Sequence, residues 1–190
     1  MDQISYYGTY GCWTAFYLYW FLTARNVKPT ASRQPFLSAL AYMVFFYLSI
    51  VFLVVHTIPL PILNQRLIDE TDAILAIGLS VCWAGLAIAI WARRTLADNW
   101  SGYVTFKRGH ELIRTGPYRF VRHPIYTGML LMTLGTAIEI GRVRGLLAVI
   151  AMTLGFWIKL RQEERLMLQH FPDQYPAYRQ QVKAIVPFVV

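Results

Sequence analysis

The chain has 190 residues, of which 56% are hydrophobic and only 15% are charged. Soluble domains average about 25% charged residues, so this composition argues against a soluble protein and indicates a membrane protein. The formal net charge of +8 belongs to residues 93–190, which carry fourteen basic and six acidic residues. Because these basic residues border apolar segments, the expected partner of the charge is membrane lipid and not nucleic acid.

Three uncharged apolar stretches in the first half predict transmembrane helices at 4–24, 36–58 and 73–92. Each has at least the roughly 20 residues that a helix needs to cross the hydrocarbon core. The N-terminal MDQIS lacks the positive region of a signal peptide, so the first helix is expected to remain as an anchor. Cys12 and Cys82 lie inside these helices without other ligand residues, and neither a metal site nor a disulfide is predicted.

The loops between these helices predict their orientation. Loop 25–33 holds three basic residues, whereas loop 64–72 holds three acids and one arginine, and the segment after the third helix begins with Arg93 and Arg94. The positive-inside rule places the first loop and everything after residue 92 in the cytoplasm. We therefore expect a multi-pass protein with residues 1–92 as a three-helix anchor.

Two shorter apolar stretches, 124–138 and 145–158, predict a helical hairpin closed by the turn EIGRVR. At 1.5 Å per residue each arm spans only about 22 Å, less than the thickness of the hydrocarbon core. The hairpin therefore either crosses the membrane or dips in and returns, and the sequence leaves both arrangements open.

The residues after the hairpin predict a helical lid on the cytosolic face. The second arm is expected to leave the membrane from Lys159 and to end before Pro172, with Glu164 on its outer polar face. A last short helix is expected over residues 176–185. The predicted fold is thus an all-α integral membrane protein of about five transmembrane helices, the last two a short hairpin, with a C-terminal lid.

The densest polar stretch, RTGPYRFVRHPIYTG at 114–128, directly precedes the hairpin. Pro124 suits the first position of a helix and disfavours helical geometry at His123, so the helix is predicted to begin at Pro124 with His123 at its N-cap. A helix start presents free backbone N–H groups, which predicts an anion site at the membrane surface. Anchoring to lipid head groups is the alternative interpretation of the same residues.

The hairpin is expected to bring a second polar cluster to this helix start. His123 and Tyr126 should face Lys159 and Glu163 across the two arms, and ionisable residues at such depth mark function. An acid, a lysine and aromatic rings beside an anion site suit S-adenosylmethionine, whose sulfonium can contact tyrosine rings. No G-x-G-x-x-G follows a predicted strand, which excludes a soluble nucleotide-binding fold.

The order and spacing of three motifs resemble the isoprenylcysteine carboxyl methyltransferases. The motifs are HELIRTGPYRFVRHPIYTG (110–128), the hydrophobic hairpin and EERLMLQHFPDQYPAY (163–178), followed by a Val-Pro near the C-terminus. Related membrane phospholipid methyltransferases share the G-P-Y, R-H-P-x-Y-x-G and E-E pattern. The resemblance covers about residues 99–188 and makes residues 93–190 the expected catalytic region.

The resemblance implies a multi-helix membrane fold with a cytosolic S-adenosylmethionine pocket closed by the C-terminal segment. It places the adenosine along His110, Glu111, Leu112 and Ile113. It places the methionine part against Tyr118, His123, Pro124, Ile125 and Tyr126, with Glu163 on a polar group of the cofactor. Where the eukaryotic enzymes of this family have an arginine for the substrate carboxylate, this chain has Lys159, which keeps the charge but loses the bidentate fork.

The expected function is S-adenosylmethionine-dependent carboxyl methylation of a lipophilic, isoprenylcysteine-like substrate at the membrane surface. A carboxylate acceptor needs no base but needs a cation to hold it, and Lys159 or Arg161 could serve. A second interpretation is a phospholipid amine N-methyltransferase, whose amine acceptor would need deprotonation. A third is a non-catalytic membrane protein with a lipid-head-group-binding motif, and a fourth is a sterol reductase with a nicotinamide cofactor.

Overall fold

The computed structural model describes residues 3–24, 30–33, 36–55, 59–100, 105–107 and 111–186. The helices of the described residues are α1 (Gln3–Thr23), α2 (Phe36–Val54), α3 (Asp72–Leu96), α4 (Pro124–Ile140), α5 (Val143–His170) and α6 (Tyr175–Gln181). Two short strands, β1 (Thr30–Arg33) and β2 (Thr105–Lys107), pair in an antiparallel ribbon that the sequence did not predict. The helical fold predicted from composition is thus confirmed, with this ribbon added to it.

Helices occur where the three long apolar stretches predicted them, and α1 and α3 keep within four residues of the predicted bounds. Among the described residues, Asp72–Asn99 and Val143–His170 are long and apolar enough to cross a membrane. Ser38–Val54 and Pro124–Ile140 are shorter apolar helices. Whether each of these helices crosses the bilayer remains a proposal.

Helices α3 and α4 touch backbone to backbone at paired glycines. A side chain on Gly85 would lie 2.5 Å from the carbonyl oxygen of Gly128, and one on Gly78 would lie 2.8 Å from that of Gly135. Small residues at such positions let apolar helices approach closely and gain packing contacts without a polar interaction. This contact fixes α4, and with it the start of the hairpin, against the rest of the helices.

The α4–α5 hairpin is confirmed, and its turn is closed by backbone bonds. Gly141 caps α4 in the left-handed region at φ 58°, where glycine carries no steric penalty. Its carbonyl accepts from the N–H of Leu67 at 2.8 Å, so the turn is joined to the loop before α3. Helix α5 then runs unbroken past Lys159 to His170, as predicted.

The C-terminal prediction is partly wrong, because the last helix ends at Gln181 instead of continuing to residue 185. Residues 182–186, the C-terminal strap, run beside the residues that precede α4. The backbone N–H groups of Arg122 and His123 donate to the carbonyls of Lys183 and Ala184 at 2.8 and 2.9 Å. Val182 is extended, at φ −120° and ψ 132°, so the chain leaves the helix there and runs on as the strap.

Candidate functional site

A cavity of about 470 Å³ opens where α4 begins and the second half of α5 passes it. Its polar wall comes from the loop before α4 and from α5, and its apolar wall comes chiefly from α1, α2 and α5. The polar lining residues are Asn99, Glu111, Arg122, His123, Lys159 and Glu163. The aromatic lining residues include Phe16, Tyr17, Trp20, Tyr42, Phe46, Trp100, Tyr126 and Phe156. A ligand with a charged part and a greasy part matches such a cavity.

Arg122 and Glu164 form a buried ion pair beside the cavity. The Arg122 Nε and Nη2 atoms lie 2.8 and 2.5 Å from Glu164 Oε1, and both side chains are 7% exposed. Arg179 adds a second cation, with its Nε 3.4 Å from Glu164 Oε2. The prediction that Glu164 lies on the outer polar face of the helix is therefore wrong, because two arginines compensate its charge inside.

His123 lies between two carboxylates. Its Nδ1 is 3.5 Å from Glu163 Oε2, and its Nε2 is 3.4 Å from Glu164 Oε1 without the geometry of a hydrogen bond. Burial acts to lower the pKa of His123, but the interaction with Glu163 and the negative charges of Glu163 and Glu164 outweigh it and raise the pKa above its ordinary value. The two carboxylates therefore favour the protonated form of the imidazole.

A stack of rings continues from His123 into the cavity. The His123 and Tyr126 rings are parallel within 1° at 5.4 Å, and Phe156 lies 4.5 Å from Tyr126 on α5. The Tyr126 hydroxyl donates to Glu163 Oε1 at 2.6 Å. Lys159, one helical turn before Glu163, places its Nζ 5.4 Å from the centroid of Tyr126. The four residues that the hairpin was predicted to bring together are thus neighbours.

The start of α4 has the predicted geometry, but several of its backbone N–H groups already have partners within the protein. His123 is the N-cap and Pro124 occupies the first turn, as expected. However, the N–H groups of Tyr126 and Thr127 donate to the carbonyl of His123 at 3.0 and 3.1 Å. The N–H group of His123 itself donates to the carbonyl of Ala184 in the strap. These bonds leave fewer backbone donors for the predicted anion, and the Glu163 carboxylate in the same wall can hold a cationic group.

The C-terminal segment is fastened over the polar wall. Tyr178 of α6 donates its hydroxyl to the carbonyl of Tyr118 at 2.5 Å, and Arg114 lies over the Tyr178 ring at 5.8 Å. Thr127 donates to the carbonyl of Ile185 in the strap at 2.7 Å. Burial raises the pKa of Tyr178 to about 12, so this hydroxyl remains a donor at any physiological pH.

The structure brings most of the predicted site residues to one cavity. Those that line it are Glu111, Leu112, Ile113, Tyr118, His123, Ile125, Tyr126, Lys159 and Glu163. Pro124 is buried behind them at the first turn of α4, and His110 lies outside the described residues. Arg161 is exposed and lies over the Trp157 ring at 4.5 Å, outside the cavity lining.

Several lining residues were missed by sequence reasoning. Phe16, Trp20, Tyr42 and Phe46 come from helices that were predicted to be only an anchor. Their apolar stretches carry no motif, and an aromatic residue in a membrane helix has the same pattern whether it faces lipid or a cavity. The predicted anchor region and the predicted catalytic region thus share one cavity.

A family model described as phospholipid methyltransferase matches residues 73–174, which include α3, the polar wall and the hairpin. The chain therefore belongs to this family of methyltransferases, and its predicted relationship to the isoprenylcysteine carboxyl methyltransferases is confirmed. With the two long apolar helices found among its described residues, it is a membrane protein whose family uses a methyl donor.

Curated relatives are named protein-S-isoprenylcysteine O-methyltransferase. The protein of Tribolium castaneum is 33% identical over 119 residues, which are 60% of this chain and 41% of the relative. That of Xenopus laevis is 26% identical over 193 residues, 96% of this chain and 64% of the relative. That of Saccharomyces cerevisiae is 29% identical over 101 residues, 52% and 42% of the two chains. The chain thus spans less than two thirds of the length of each.

Proposed function

We propose that this protein transfers a methyl group from S-adenosylmethionine to the carboxylate of a lipophilic, isoprenylcysteine-like acceptor at the membrane surface. The observation that carries the proposal is the cavity itself, whose charged wall of Glu163, His123 and Lys159 continues into an aromatic, apolar chamber. A water-soluble cofactor and a greasy acceptor can meet only at such a boundary. The names of the curated relatives support the acceptor class.

The polar wall fits the cofactor. S-adenosylmethionine carries an ammonium and a sulfonium, and the wall offers the Glu163 carboxylate for the ammonium and the ring of Tyr126 for the sulfonium. The cavity volume of about 470 Å³ lies within the range of small-molecule sites. In the complex, Glu163 and Tyr126 would hold the methionine part, together with Tyr118, His123, Pro124 and Ile125. The adenosine would lie along 110–113.

The chain's own residues position the reactants and exclude water. When bound, S-adenosylmethionine would supply an electrophilic methyl group. A carboxylate oxygen of the acceptor would attack the methyl carbon with a lone pair, the carbon–sulfur bond would break, and its electrons would stay on the sulfur of neutral S-adenosylhomocysteine. Lys159 holds the acceptor carboxylate, because it is the one of the two predicted cations that lines the cavity. Tyr126 and Phe156 cover the reacting region with rings, which keeps water out and the geometry fixed.

The membrane arrangement is part of the proposal. We infer five membrane crossings, with the cavity on the cytoplasmic side. The helix ends nearest the cavity carry several basic residues, namely Arg93, Arg94, Arg114 and Arg119, and basic residues mark the cytoplasmic side of a membrane protein. The acceptor would enter sideways from the bilayer, past the apolar side chains of α1 and α2 that line the cavity. The resemblance supports C-terminal closure, and α6 and the strap are in place to provide it.

A phospholipid amine N-methyltransferase is the second candidate, since the matching family model carries that description. An amine acceptor must lose a proton before it can attack, so it requires a base near the methyl donor. His123 is flanked by Glu163 and Glu164, whose charges favour its protonated form, whereas a base must be neutral. The electrostatics of the wall therefore favour the carboxylate.

The two candidates are separated by one assay. The full-length protein in liposomes is given radiolabelled S-adenosylmethionine, with a farnesylcysteine analogue and phosphatidylethanolamine as competing acceptors. We expect label in a base-labile methyl ester that releases methanol, and little in N-methyl lipid. Label confined to the lipid amine would contradict the proposal, as would transfer that survives in a Glu163→Gln variant.

A further inference from the structure

Tyr42 of α2 lies in the cavity although it is far in sequence from every motif. It precedes the segment that matches the family model, and its side chain is only 7% exposed. Its ring lines the cavity opposite Tyr126 of α4. A buried tyrosine at this place contributes a second aromatic wall to the region that the proposed methyl donor would occupy.

The ammonium of Lys159 lies between these two rings. Its Nζ is 5.4 Å from the centroid of Tyr42 and 5.4 Å from the centroid of Tyr126. Cations within about 6 Å of an aromatic centroid are attracted by the negative face of the ring, and the attraction grows where water is excluded. The two tyrosines therefore form a binding site for a cation, and in this structure a side chain of the protein occupies it.

The same pair of rings suits a methylated sulfonium better than an ammonium. A sulfonium donates no N–H hydrogen bonds, so water solvates it less strongly, and aromatic cages are a recurring way to bind such methylated cations. S-adenosylhomocysteine has the same shape without the charge. Aromatic walls at this point would therefore retain the methyl donor and release the neutral product.

We propose that Tyr42 and Tyr126 form a two-ring subsite for the methylsulfonium of the donor, which the Lys159 ammonium occupies until the donor binds. This inference rests on the proposed function and adds Tyr42 as a residue that distinguishes donor from product. Two cations cannot share the space between the rings, so donor binding moves Lys159 along its flexible stem. The displaced ammonium is then available for the acceptor carboxylate, which links acceptor binding to the presence of the donor.

The test compares the affinities of S-adenosylmethionine and S-adenosylhomocysteine by calorimetric titration of the full-length protein in detergent. The variants are Tyr42→Leu, which removes the ring, and Tyr42→Phe, which keeps it. Tyr47→Leu is the matched control, because Tyr47 lines the same cavity from the same helix but is 63% exposed. We expect Tyr42→Leu to weaken the donor about fivefold to thirtyfold more than the product, corresponding to about 1–2 kcal/mol.

Tyr42→Phe should keep the wild-type ratio of the two affinities, and Tyr47→Leu should not change it. An equal loss of both ligands in Tyr42→Leu, or no loss, would overturn the inference. If Tyr42→Leu does not fold, Lys159→Met replaces it and should raise the preference for the donor by removing the competing cation; an unchanged or lower preference overturns the inference. Failure of the wild type to bind either ligand would instead refute the proposed function.

Discussion

The two ends of the α4–α5 hairpin contain similar charged residues in different surroundings. At the open end, where the helices meet the cavity, Glu163 and Glu164 face the cations of Arg122, His123 and Lys159. At the closed end, where Gly141 reverses the chain, Glu139 is 2% exposed and accepts a hydrogen bond from the Thr9 hydroxyl of α1. A buried carboxylate is thus present at both ends.

The partners at the closed end are mostly neutral backbone and hydroxyl groups. Arg142 donates to the carbonyl of Asn64 at 2.8 Å, and Arg144 donates to those of Phe52 and Leu53 at 3.0 and 2.8 Å. Helix α3 approaches Glu139 so closely that a side chain on Gly78 would lie 2.6 Å from its Cγ. These contacts close a turn, whereas the facing charges of the open end surround space for a ligand. Charge inside an apolar segment therefore indicates a site only where a cavity accompanies it.

The largest contrast is expected between two matched substitutions, Glu163→Gln and Glu139→Gln. Each replaces a carboxyl group with an amide of nearly the same shape. Glu163→Gln should weaken S-adenosylmethionine binding at least about a hundredfold, because the ammonium of the donor loses the charged partner that is proposed to hold it inside the cavity. Glu139→Gln should leave the dissociation constant within about twofold of wild type. Calorimetric titration measures both, and equal losses would show that the two ends do not differ in the proposed way.

The next contrast concerns stability. Arg122→Met leaves Glu164 buried with less compensation and should lower the free energy of unfolding by about 2 kcal/mol, less than for a fully broken pair because Arg179 remains. Arg144→Met removes hydrogen bonds to carbonyls and should cost about 1 kcal/mol. Denaturation in detergent, followed by tryptophan fluorescence, compares the two. A larger loss in Arg144→Met would contradict the assigned roles.

The third contrast concerns Gly141, at the turn of the closed end, and compares its effect on stability with its effect on donor affinity. Gly141→Ala forces a side chain into the left-handed region, and its Cβ would lie 2.8 Å from the carbonyl oxygen of Ile68. The free energy of unfolding should fall by about 1 kcal/mol, while donor affinity stays at the wild-type value. Loss of donor affinity together with stability would mean that the closed end is coupled to the cavity.

The smallest effect is a pH dependence at the open end. Because the pKa of His123 is raised in the folded protein, its contribution to stability is fully present below its ordinary pKa of about 6.5. The contribution is lost as the pH rises through the raised value. The melting temperature of wild type should exceed that of His123→Gln near pH 6, by about 2 °C, and the gap should narrow towards pH 9. A gap that widens with pH would refute the cationic state of His123.

Local sequence rules predicted the elements that carry the site. The uncharged apolar runs predicted the helices, and the His123-Pro124 pair predicted the start of α4. The hairpin predicted that Tyr126 would meet Glu163, and the Tyr126 hydroxyl lies 2.6 Å from Glu163 Oε1. These predictions succeeded because the contacts follow from helix geometry and one short turn. The roles of the site residues remain predictions.

Contacts between distant segments were not predictable in the same way. Helix periodicity assigned Glu164 to the outer face, but its partner Arg122 lies 42 residues earlier and only the fold brings them together. The strap was read as helix because nothing local shows that Arg122 and His123 need its carbonyls. Tyr42 resembles any aromatic residue of a membrane helix, and only its position opposite Tyr126 distinguishes it.

The most direct test of the central claim locates the donor on the protein. The full-length chain in detergent is irradiated with S-adenosylmethionine labelled in its methyl group, and tandem mass spectrometry identifies the labelled residues. The account predicts label at the open end, on residues 111–126 or 156–163 or on Tyr42, and suppression by excess S-adenosylhomocysteine. Label around Glu139 and Gly141, or label that S-adenosylhomocysteine does not suppress, would contradict it.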